Sequence, residues 1–154
     1  MASDFVVRRA IEWDAPAVAA LTDAAYAKYV PRIGRKPRPM TADYRQMIAE
    51  HAVWLLCRGD ELAGVLVLMS EPDALLIYSV AVSPEHQHRG LGRRMLALAE
   101  EQARLASYAR LRLYTNVHMT ENIALYRRLG YAETGREEVS GTTLVHMAKP
   151  LAIA

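Results

Sequence analysis

Residues 79–94 decide the fold of this chain, and they read Ser79-Val80-Ala81-Val82-Ser83-Pro84-Glu85-His86-Gln87-His88-Arg89-Gly90-Leu91-Gly92-Arg93-Arg94. An apolar run passes through a turn into a segment with apolar residues at helical spacing, which predicts a strand followed by a helix. The first turn of a helix has unpaired backbone amides and the positive end of the helix dipole, so it attracts anions. Two glycines would let an anion approach, and the arginines would add charge. The alternative is a tight turn whose arginines are solvated.

The sequence before this stretch predicts short elements that alternate between strand and helix. We predict a strand over 5–11 and a first helix, capped by Asp14, that stops before Pro31. Residues 31–40 hold three prolines and four cations, which indicates a loop. Thr41 is the predicted cap of a second helix, from Ala42 to His51.

Apolar, strand-like runs follow on both sides of residues 79–94. Those at 52–58, 62–70 and 74–82 are separated by turn-forming residues and predict an antiparallel meander. After the long helix, we predict a strand over 110–114 and a short helix from Thr120, as its cap, to Leu129. Two final strands are predicted near 131–138 and 142–149.

The composition indicates one soluble domain over residues 1–154. The chain is 52% apolar and 23% charged, which is ordinary for a single globular domain. Its formal net charge is only +2, and its cations are concentrated in two segments, which favours local anion sites over a nucleic-acid surface. We find no signal sequence at residues 1–5, no apolar run long enough to cross a membrane, and a single cysteine. We therefore expect a cytoplasmic protein.

Two ordered motifs carry a resemblance to a known family. Gln87-His88-Arg89-Gly90-Leu91-Gly92 resembles motif A of the GNAT superfamily of N-acetyltransferases, whose pattern is Gln/Arg-x-x-Gly-x-Gly/Ala. Residues 122–131, Asn-Ile-Ala-Leu-Tyr-Arg-Arg-Leu-Gly-Tyr, look like motif B of the same superfamily. The order of the elements around both motifs extends the likeness over nearly the whole chain.

The resemblance implies a fold and an activity. The expected fold is an α/β (α+β) three-layer structure with a mixed, mostly antiparallel sheet of about seven strands. The sheet should splay between its fourth and fifth strands, and about four helices should flank it. The implied reaction transfers an acetyl group from acetyl-CoA to a primary amine by direct attack in a ternary complex, because no cysteine or serine is placed as a covalent nucleophile.

The resemblance also assigns residues to coenzyme A. The pyrophosphate should lie on the backbone amides of the motif A turn, and the pantetheine arm should bind backbone groups near Ala81 and Val82. The main-chain N–H of Val82 would polarise the thioester carbonyl. The residues expected at the pyrophosphate are Gln87, His88, Arg89, Gly90, Leu91, Gly92 and Arg93.

Tyr126 matches the position at which the family carries a hydroxyl near the CoA sulfur. It would protonate the leaving thiolate as a general acid, and the alternative is a tyrosine that only packs. Asn122 lies one helical turn before it and could bind CoA. The asparagine that many members carry seven residues before the tyrosine is Met119 here, so that role would pass to Asn122 or Asn116, or be lost.

The general base is open at this point. Many relatives have a glutamate on the fourth strand near the splay, but residues 77–80 contain no carboxylate. An ordered water or His146 could take the proton instead. His86 and His88 are expected to be solvated turn residues, and they provide too few ligands for a metal.

The acceptor is expected to enter beside the loop at 31–40. Arg32 and Arg35 could pair there with a carboxylate or phosphate, Tyr26 and Tyr29 flank the entrance, and the alternative is a solvated basic loop. A small polar amine is the preferred acceptor. The alternatives are acetylation of a protein or peptide, or an inactive CoA-binding sensor. A homodimer is possible, and neither nucleic acid nor membrane is expected as a partner.

Overall fold

The computed structural model describes residues 4–152, so most of the N-terminal segment searched for a signal sequence lies outside the described residues. The strands are β1 Val6–Arg9, β2 Ala52–Arg58, β3 Glu61–Ser70, β4 Leu75–Val82, β5 Arg110–Asn116, β6 Ala132–Val139 and β7 Thr142–Pro150. The helices are α1 Ala15–Tyr26, α2 Val30–Ile33, α3 Tyr44–Glu50, α4 Leu91–Leu105 and α5 Thr120–Arg128. Short 3-10 turns join several of them.

Within residues 4–152 the strands form one seven-stranded sheet in the order β1-β2-β3-β4-β5-β7-β6. Every neighbouring pair is antiparallel except β4 with β5, which are parallel. Their pairing extends only from Leu75 opposite Leu111 to Ile77 opposite Leu113. β4 then continues to Val82 and β5 to Asn116 without pairing, so the two strands diverge. The predicted mixed sheet and its splay are confirmed.

Two cores lie on opposite faces of this sheet. Val65 and Val67 of β3 face a core with α1 and α3, whereas Leu66 and Leu68 face a core with α4. This alternation is the two-residue period of a strand buried on both faces. Hydrophobic residues of α5 pack on the α4 side. The arrangement is the expected three layers of helix, sheet and helix.

None of the three predicted caps bonds to its helix through its side chain, because other polar partners bind these side chains. Asp14 is in the cap position of α1, but its carboxylate accepts from the Ile11 amide and from the Arg8 guanidinium rather than from the amides of α1. Asp43, not Thr41, caps α3, and its Oδ1 accepts from the amides of residues 45 and 46. Thr120 is the first residue of α5, and its hydroxyl donates to the neighbouring Glu121.

The first helix ends at Tyr26, before Pro31 as predicted, but the predicted loop over 31–40 is wrong at its start. Pro31 lies in the one-turn helix α2, at an early position where the amide that proline lacks would have no helical partner. Gly34 ends α2 with φ 83°, a left-handed conformation that glycine adopts without strain. The loop that follows α2 therefore covers residues 34–43 and begins later than the sequence suggested.

His86 is not a solvated turn residue, although His88 is exposed as expected. His86 is 3% exposed, and its ring packs edge-on against Phe5. Its Nδ1 lies 3.0 Å from Ser83 Oγ, and its Nε2 lies 2.7 Å from Glu61 Oε1. The bond from His86 is the main cause of a lowered pKa at Glu61. His86 thus fixes the turn between β4 and α4 to the start of β3.

We predict that His86→Ala lowers the free energy of unfolding by about 2 kcal/mol, because it removes two partly buried hydrogen bonds and leaves a cavity. His118→Ala is the matched control: this histidine is exposed, so its loss should change stability by less than about 0.5 kcal/mol. Urea unfolding followed by circular dichroism measures both values. Equal stabilities of the two variants would contradict the anchoring role of His86.

Candidate active site

Two cavities meet where β4 and β5 separate. One lies at the first turn of α4, between α1, β4 and α5, and we call it the cofactor cleft. The other lies between β4, β5, β7 and residues 33–39, and we call it the acceptor cavity. Tyr26, Val80 and Tyr126 line both. A group bound in one cavity can therefore reach a group bound in the other.

The cofactor cleft offers unpaired backbone amides at the start of α4. Within residues 4–152, the amides of Gly90 to Arg93 donate to no backbone carbonyl, and the first amide of this turn to do so is that of Arg94, to Gly90 O at 3.1 Å. Helix α4 has no side-chain cap at this end. Fifteen residues of aligned peptide dipoles also favour negative charge here. The turn is therefore suited to a phosphate group.

The glycines and arginines of the turn have distinct places. Gly90 precedes α4 with φ 79°, and the side of Gly90 where a Cβ would lie is open space. A Cβ on Gly92 would lie 3.9 Å from Val82 Cγ2, on the cleft side. Arg89 and Arg93 are exposed beside the turn, whereas Arg94 turns back and donates to Phe5 O.

The exposed edge of β4 presents backbone groups to the cleft. The Ser83 amide donates to Ala63 O on β3 at 2.9 Å, so by antiparallel alternation the amides of Val82 and Val80 point away from β3. Beyond Ile77 no strand pairs with that edge. The side-chain Nε2 of Gln87 donates to the Val82 carbonyl oxygen at 3.2 Å. The Val82 amide is thus left to bind a ligand oxygen.

Tyr126 lies on α5 at the junction of the two cavities. Within the described chain, its hydroxyl has no hydrogen-bond partner, and its ring packs against Tyr131 at 5.8 Å between centroids. Burial raises the pKa of Tyr126 well above its usual value, with a smaller contribution from nearby tyrosines. The phenol therefore carries its proton throughout the physiological range.

Tyr26 approaches the same junction from α1. Its hydroxyl lies 3.3 Å from Ser79 Oγ and 3.5 Å from the Val80 carbonyl oxygen. Burial raises the pKa of Tyr26 as well. Tyr26 thus covers the edge of β4 where the strands begin to part.

The acceptor cavity has a roof made by the segment after α2, and one arginine of α2 and two of this segment attach the region to the C-terminal half. Arg32 forms an ion pair with Glu121 on α5 at 2.5 Å, and Arg35 donates to Ser140 O in the β6–β7 turn at 2.6 Å. Arg38 lies over the ring of Tyr114 on β5, at 5.3 Å from its centroid. These contacts attach the loop region to α5, to the β6–β7 turn and to β5.

The structure distributes the predicted substrate residues over both cavities. Tyr26 and Arg35 line the acceptor cavity. Tyr29 lines the cofactor cleft instead, and Arg32 lies 5.3 Å over its ring and reaches Glu121. An arginine already paired with a carboxylate is a weak receptor for a second anion.

The predicted cofactor residues mostly converge on the cleft. Asn116 differs from the rest: it lines the acceptor cavity, where its Nδ2 donates to Thr142 Oγ1 and its Oδ1 accepts from the His118 amide. Arg89 and Arg93 extend from the turn beside the cleft. Those that line the cleft directly are Ala81, Val82, Gln87, His88, Gly90, Leu91, Gly92, Asn122 and Tyr126.

His146 is engaged elsewhere. Its Nε2 lies 3.0 Å from Glu137 and its Nδ1 lies 3.4 Å from Arg112, and its ring packs against the ring of Tyr114. Within residues 4–152, the lining of the acceptor cavity includes neither His146 nor any Asp or Glu. Among the described residues this cavity thus offers no carboxylate or imidazole to accept a proton, which favours water as the acceptor.

Sequence reasoning assigned no role to several residues that line the acceptor cavity, among them Arg38, Tyr78 and Tyr114. Burial raises the pKa of Tyr78 to about 12, so its phenol is neutral. The two tyrosines lie on β4 and β5, one residue beyond the last paired position of each strand. Where pairing stops is set by the fold, so no local pattern in the sequence pointed to these two tyrosines.

The described helices contain none that is long and apolar enough to span a membrane. In the same residues, no three histidine, cysteine, aspartate or glutamate side chains are grouped as metal ligands would be.

Comparisons with known proteins point to one family. A family model described as Acetyltransferase (GNAT) family matches residues 18–131. The chain is 41% identical over 72 residues to the IAA acetyltransferase of Azospirillum brasilense, covering 47% of each chain. It is 27% identical over 144 residues to the uncharacterized N-acetyltransferase YjgM of Escherichia coli strain K12, covering 82% of this chain and 81% of that one.

The shared regions differ in extent. For three curated relatives, among them the Azospirillum protein, the match spans only 39 to 48% of the relative's own length. The fold of PaiA N-acetyltransferase from Thermoplasma acidophilum, solved with coenzyme A, superposes with a TM-score of 0.80 at 14% identity, covering 96% of this chain and 99% of that chain. With the family model matching most of its length, the chain belongs to the GNAT acetyltransferase family.

Proposed function

We propose that this protein transfers an acetyl group from acetyl-CoA to the primary amine of a small polar molecule. The observation that carries the proposal is the junction of the two cavities at Val80 and Tyr126, between an anion-binding helix turn and an unpaired strand edge. A cofactor with phosphates at one end and a thioester at the other suits that path. The coenzyme A bound by PaiA supports this choice of cofactor.

The proposed reaction is a direct attack. The amine nitrogen forms a bond to the thioester carbonyl carbon, and the oxygen that becomes negative accepts a hydrogen bond from the Val82 amide. The C–S bond then breaks, and Tyr126 gives its proton to the leaving thiolate. The nitrogen loses its proton to water, since no carboxylate lines the acceptor cavity within the described residues.

The roof over the acceptor cavity favours a small acceptor over a protein. A folded protein or an extended peptide needs an open groove, but Arg35 and Arg38 hold the roof against β5 and the β6–β7 turn. The roof also contains prolines at positions 37 and 39, which reduce its freedom to move aside. Release of the roof is required before any large acceptor could enter.

A screen of amines tests the proposal directly. Purified protein is incubated with acetyl-CoA and polyamines, amino acids, aminoglycosides or peptides, and free thiol is measured. We expect turnover on a class of small amines, with the acetylated product confirmed by mass spectrometry. Turnover on peptides alone would favour a protein acetyltransferase. Stabilisation by acetyl-CoA without turnover on any amine would favour a CoA-binding sensor.

We predict that Tyr126→Phe lowers kcat roughly 100-fold, because the thiolate loses its proton donor. The Kd for acetyl-CoA should change by less than about threefold, because the ring and its packing remain. Thiol-release assays measure kcat, and isothermal titration calorimetry measures the Kd for acetyl-CoA. A variant that retains full kcat would show that the tyrosine only packs.

The raised pKa of Tyr126 leads to a prediction about pH. A group whose pKa is raised stays protonated to higher pH, so the acid form of Tyr126 should persist above the usual tyrosine value of 10.0. The kcat of the wild-type enzyme should therefore show no loss from this group up to pH 9. A decrease at lower pH that disappears in Tyr126→Phe would contradict the assignment.

We predict opposite outcomes for two substitutions at Gly92. Its φ is not in the left-handed region, so neither change strains the backbone. Gly92→Ala adds a methyl group at an ordinary distance from Val82 and should keep the Kd for CoA within a few-fold. Gly92→Glu places a carboxylate against the phosphate site and should raise the Kd more than about tenfold. Equal affinities of the two variants for CoA would show that the phosphate does not bind at this turn.

A further inference from the structure

The charged side chains that line the acceptor cavity are all positive. Arg35, Lys36 and Arg38 line it from the roof, and no Asp or Glu lines it anywhere in residues 4–152. Its remaining polar lining consists of tyrosine, serine, threonine and asparagine side chains. A cavity built only for a cationic amine would gain from acidic residues, and this one repels a simple cation.

We propose that the acceptor amine carries a carboxylate, and that Arg38 binds this carboxylate in the acceptor cavity. The inference rests on the proposed function, and it names the substrate class of the same site. An amino acid, with its amine and carboxylate a few bonds apart, has this chemistry. Polyamines and aminoglycosides do not.

Arg38 differs in its partners from the arginines that form ion pairs. Several guanidinium groups of this chain are paired with carboxylates at 3.0 Å or less, as in the pairs Arg8–Asp14, Arg45–Glu12, Arg104–Glu100, Arg110–Asp73 and Arg112–Glu71. Arg38 forms no such pair with any residue in 4–152, and its contact is a long 3.4 Å hydrogen bond to the Tyr114 hydroxyl. The nearby Glu137 is engaged by His146.

The geometry prepares Arg38 for a carboxylate. Its guanidinium lies over the face of the Tyr114 ring, which restricts the orientation of the planar fork of donors. A carboxylate can accept two parallel hydrogen bonds from such a fork. Lys36 adds a second positive charge on the same roof. The Tyr114 hydroxyl would be the only partner that a carboxylate has to displace among the described contacts of Arg38.

This binding mode orients the amine toward the reacting centre. The cations of the cavity all lie on the roof, whereas the residues that it shares with the cofactor cleft, Tyr26, Val80 and Tyr126, carry no charge. A carboxylate at Arg38 would leave the amine to reach toward these uncharged residues. Positive charge near an ammonium also lowers its pKa, which helps to release the nucleophilic free amine where no carboxylate base is present.

Amino acids and their carboxamides provide matched acceptors. Glycine, β-alanine, L-methionine and L-phenylalanine are each assayed with acetyl-CoA beside the corresponding amide, which keeps the amine and removes the carboxylate charge. The wild-type enzyme should prefer at least one acid over its amide by about 10- to 100-fold in kcat/KM. The wild-type comparison stands even if a variant fails to fold.

Substitutions identify the arginine responsible. Arg38→Gln should lower kcat/KM for the preferred acid by about 10- to 100-fold and change kcat/KM for its amide by less than about threefold. Arg38→Lys should retain part of the preference because it keeps the charge and loses the fork. Arg110→Gln is the control, because its pair with Asp73 lies at the far end of β5, and it should leave the preference unchanged.

The outcomes separate the two proposals. Turnover of amines with no preference for the acid, or only of polyamines, overturns the carboxylate inference and leaves the acetyltransferase proposal standing. A preference for the acid that Arg38→Gln retains overturns the role of Arg38. No turnover on any amine, acid or amide, overturns the proposed function and this inference with it.

Discussion

The structure depends on the divergence of two parallel strands. β4 and β5 share only three paired positions, after which each strand continues with one edge bare. Backbone amides at such an edge must find a partner, since an unsatisfied buried donor costs about 1–3 kcal/mol. Among the described residues the Val82 amide has no backbone partner. Under the proposed function, a bound molecule would complete this gap in the hydrogen bonding of the sheet.

The elements around the gap provide the other requirements of the chemistry. Helix α4 begins at the end of β4 and presents its free amides to the cofactor cleft. Helix α5 brings Tyr126 to the same point from the other side, and the roof closes the acceptor cavity. His86, buried between β3 and the turn, keeps the start of α4 in register with the strand edge. These elements surround a path that runs from the cofactor cleft, through the junction, to the acceptor cavity.

Most of the fold could be predicted from the sequence because its signals are local. Helical spacing, alternation and turn-forming residues located all of the strands and the longer helices to within a few residues. The predictions of side-chain caps failed because capping depends on tertiary partners. Arg8 binds the Asp14 carboxylate, and Asp43 rather than Thr41 caps α3. The burial of His86 was missed for the same reason, since its partner Glu61 is 25 residues away.

The cofactor side of the site was more predictable than the acceptor side. Motif A is a contiguous stretch, and most of its residues do line the cleft. The acceptor cavity is assembled from a loop, two diverging strands and a hairpin, so its lining depends on where pairing stops. Arg38 and Tyr114 are 76 residues apart, and only the fold brings them together.

The occupied carbonyls along β4 have a consequence for the behaviour of the protein in solution. A bare strand edge can recruit a strand from another molecule, but continuous pairing needs acceptors as well as donors. On β4 the side-chain amide of Gln87 donates to the Val82 carbonyl, and the hydroxyl of Tyr26 lies beside the Val80 carbonyl. The edge therefore offers mainly donors, which suits a ligand rich in carbonyl oxygens and discourages the edge-to-edge association that leads to aggregates.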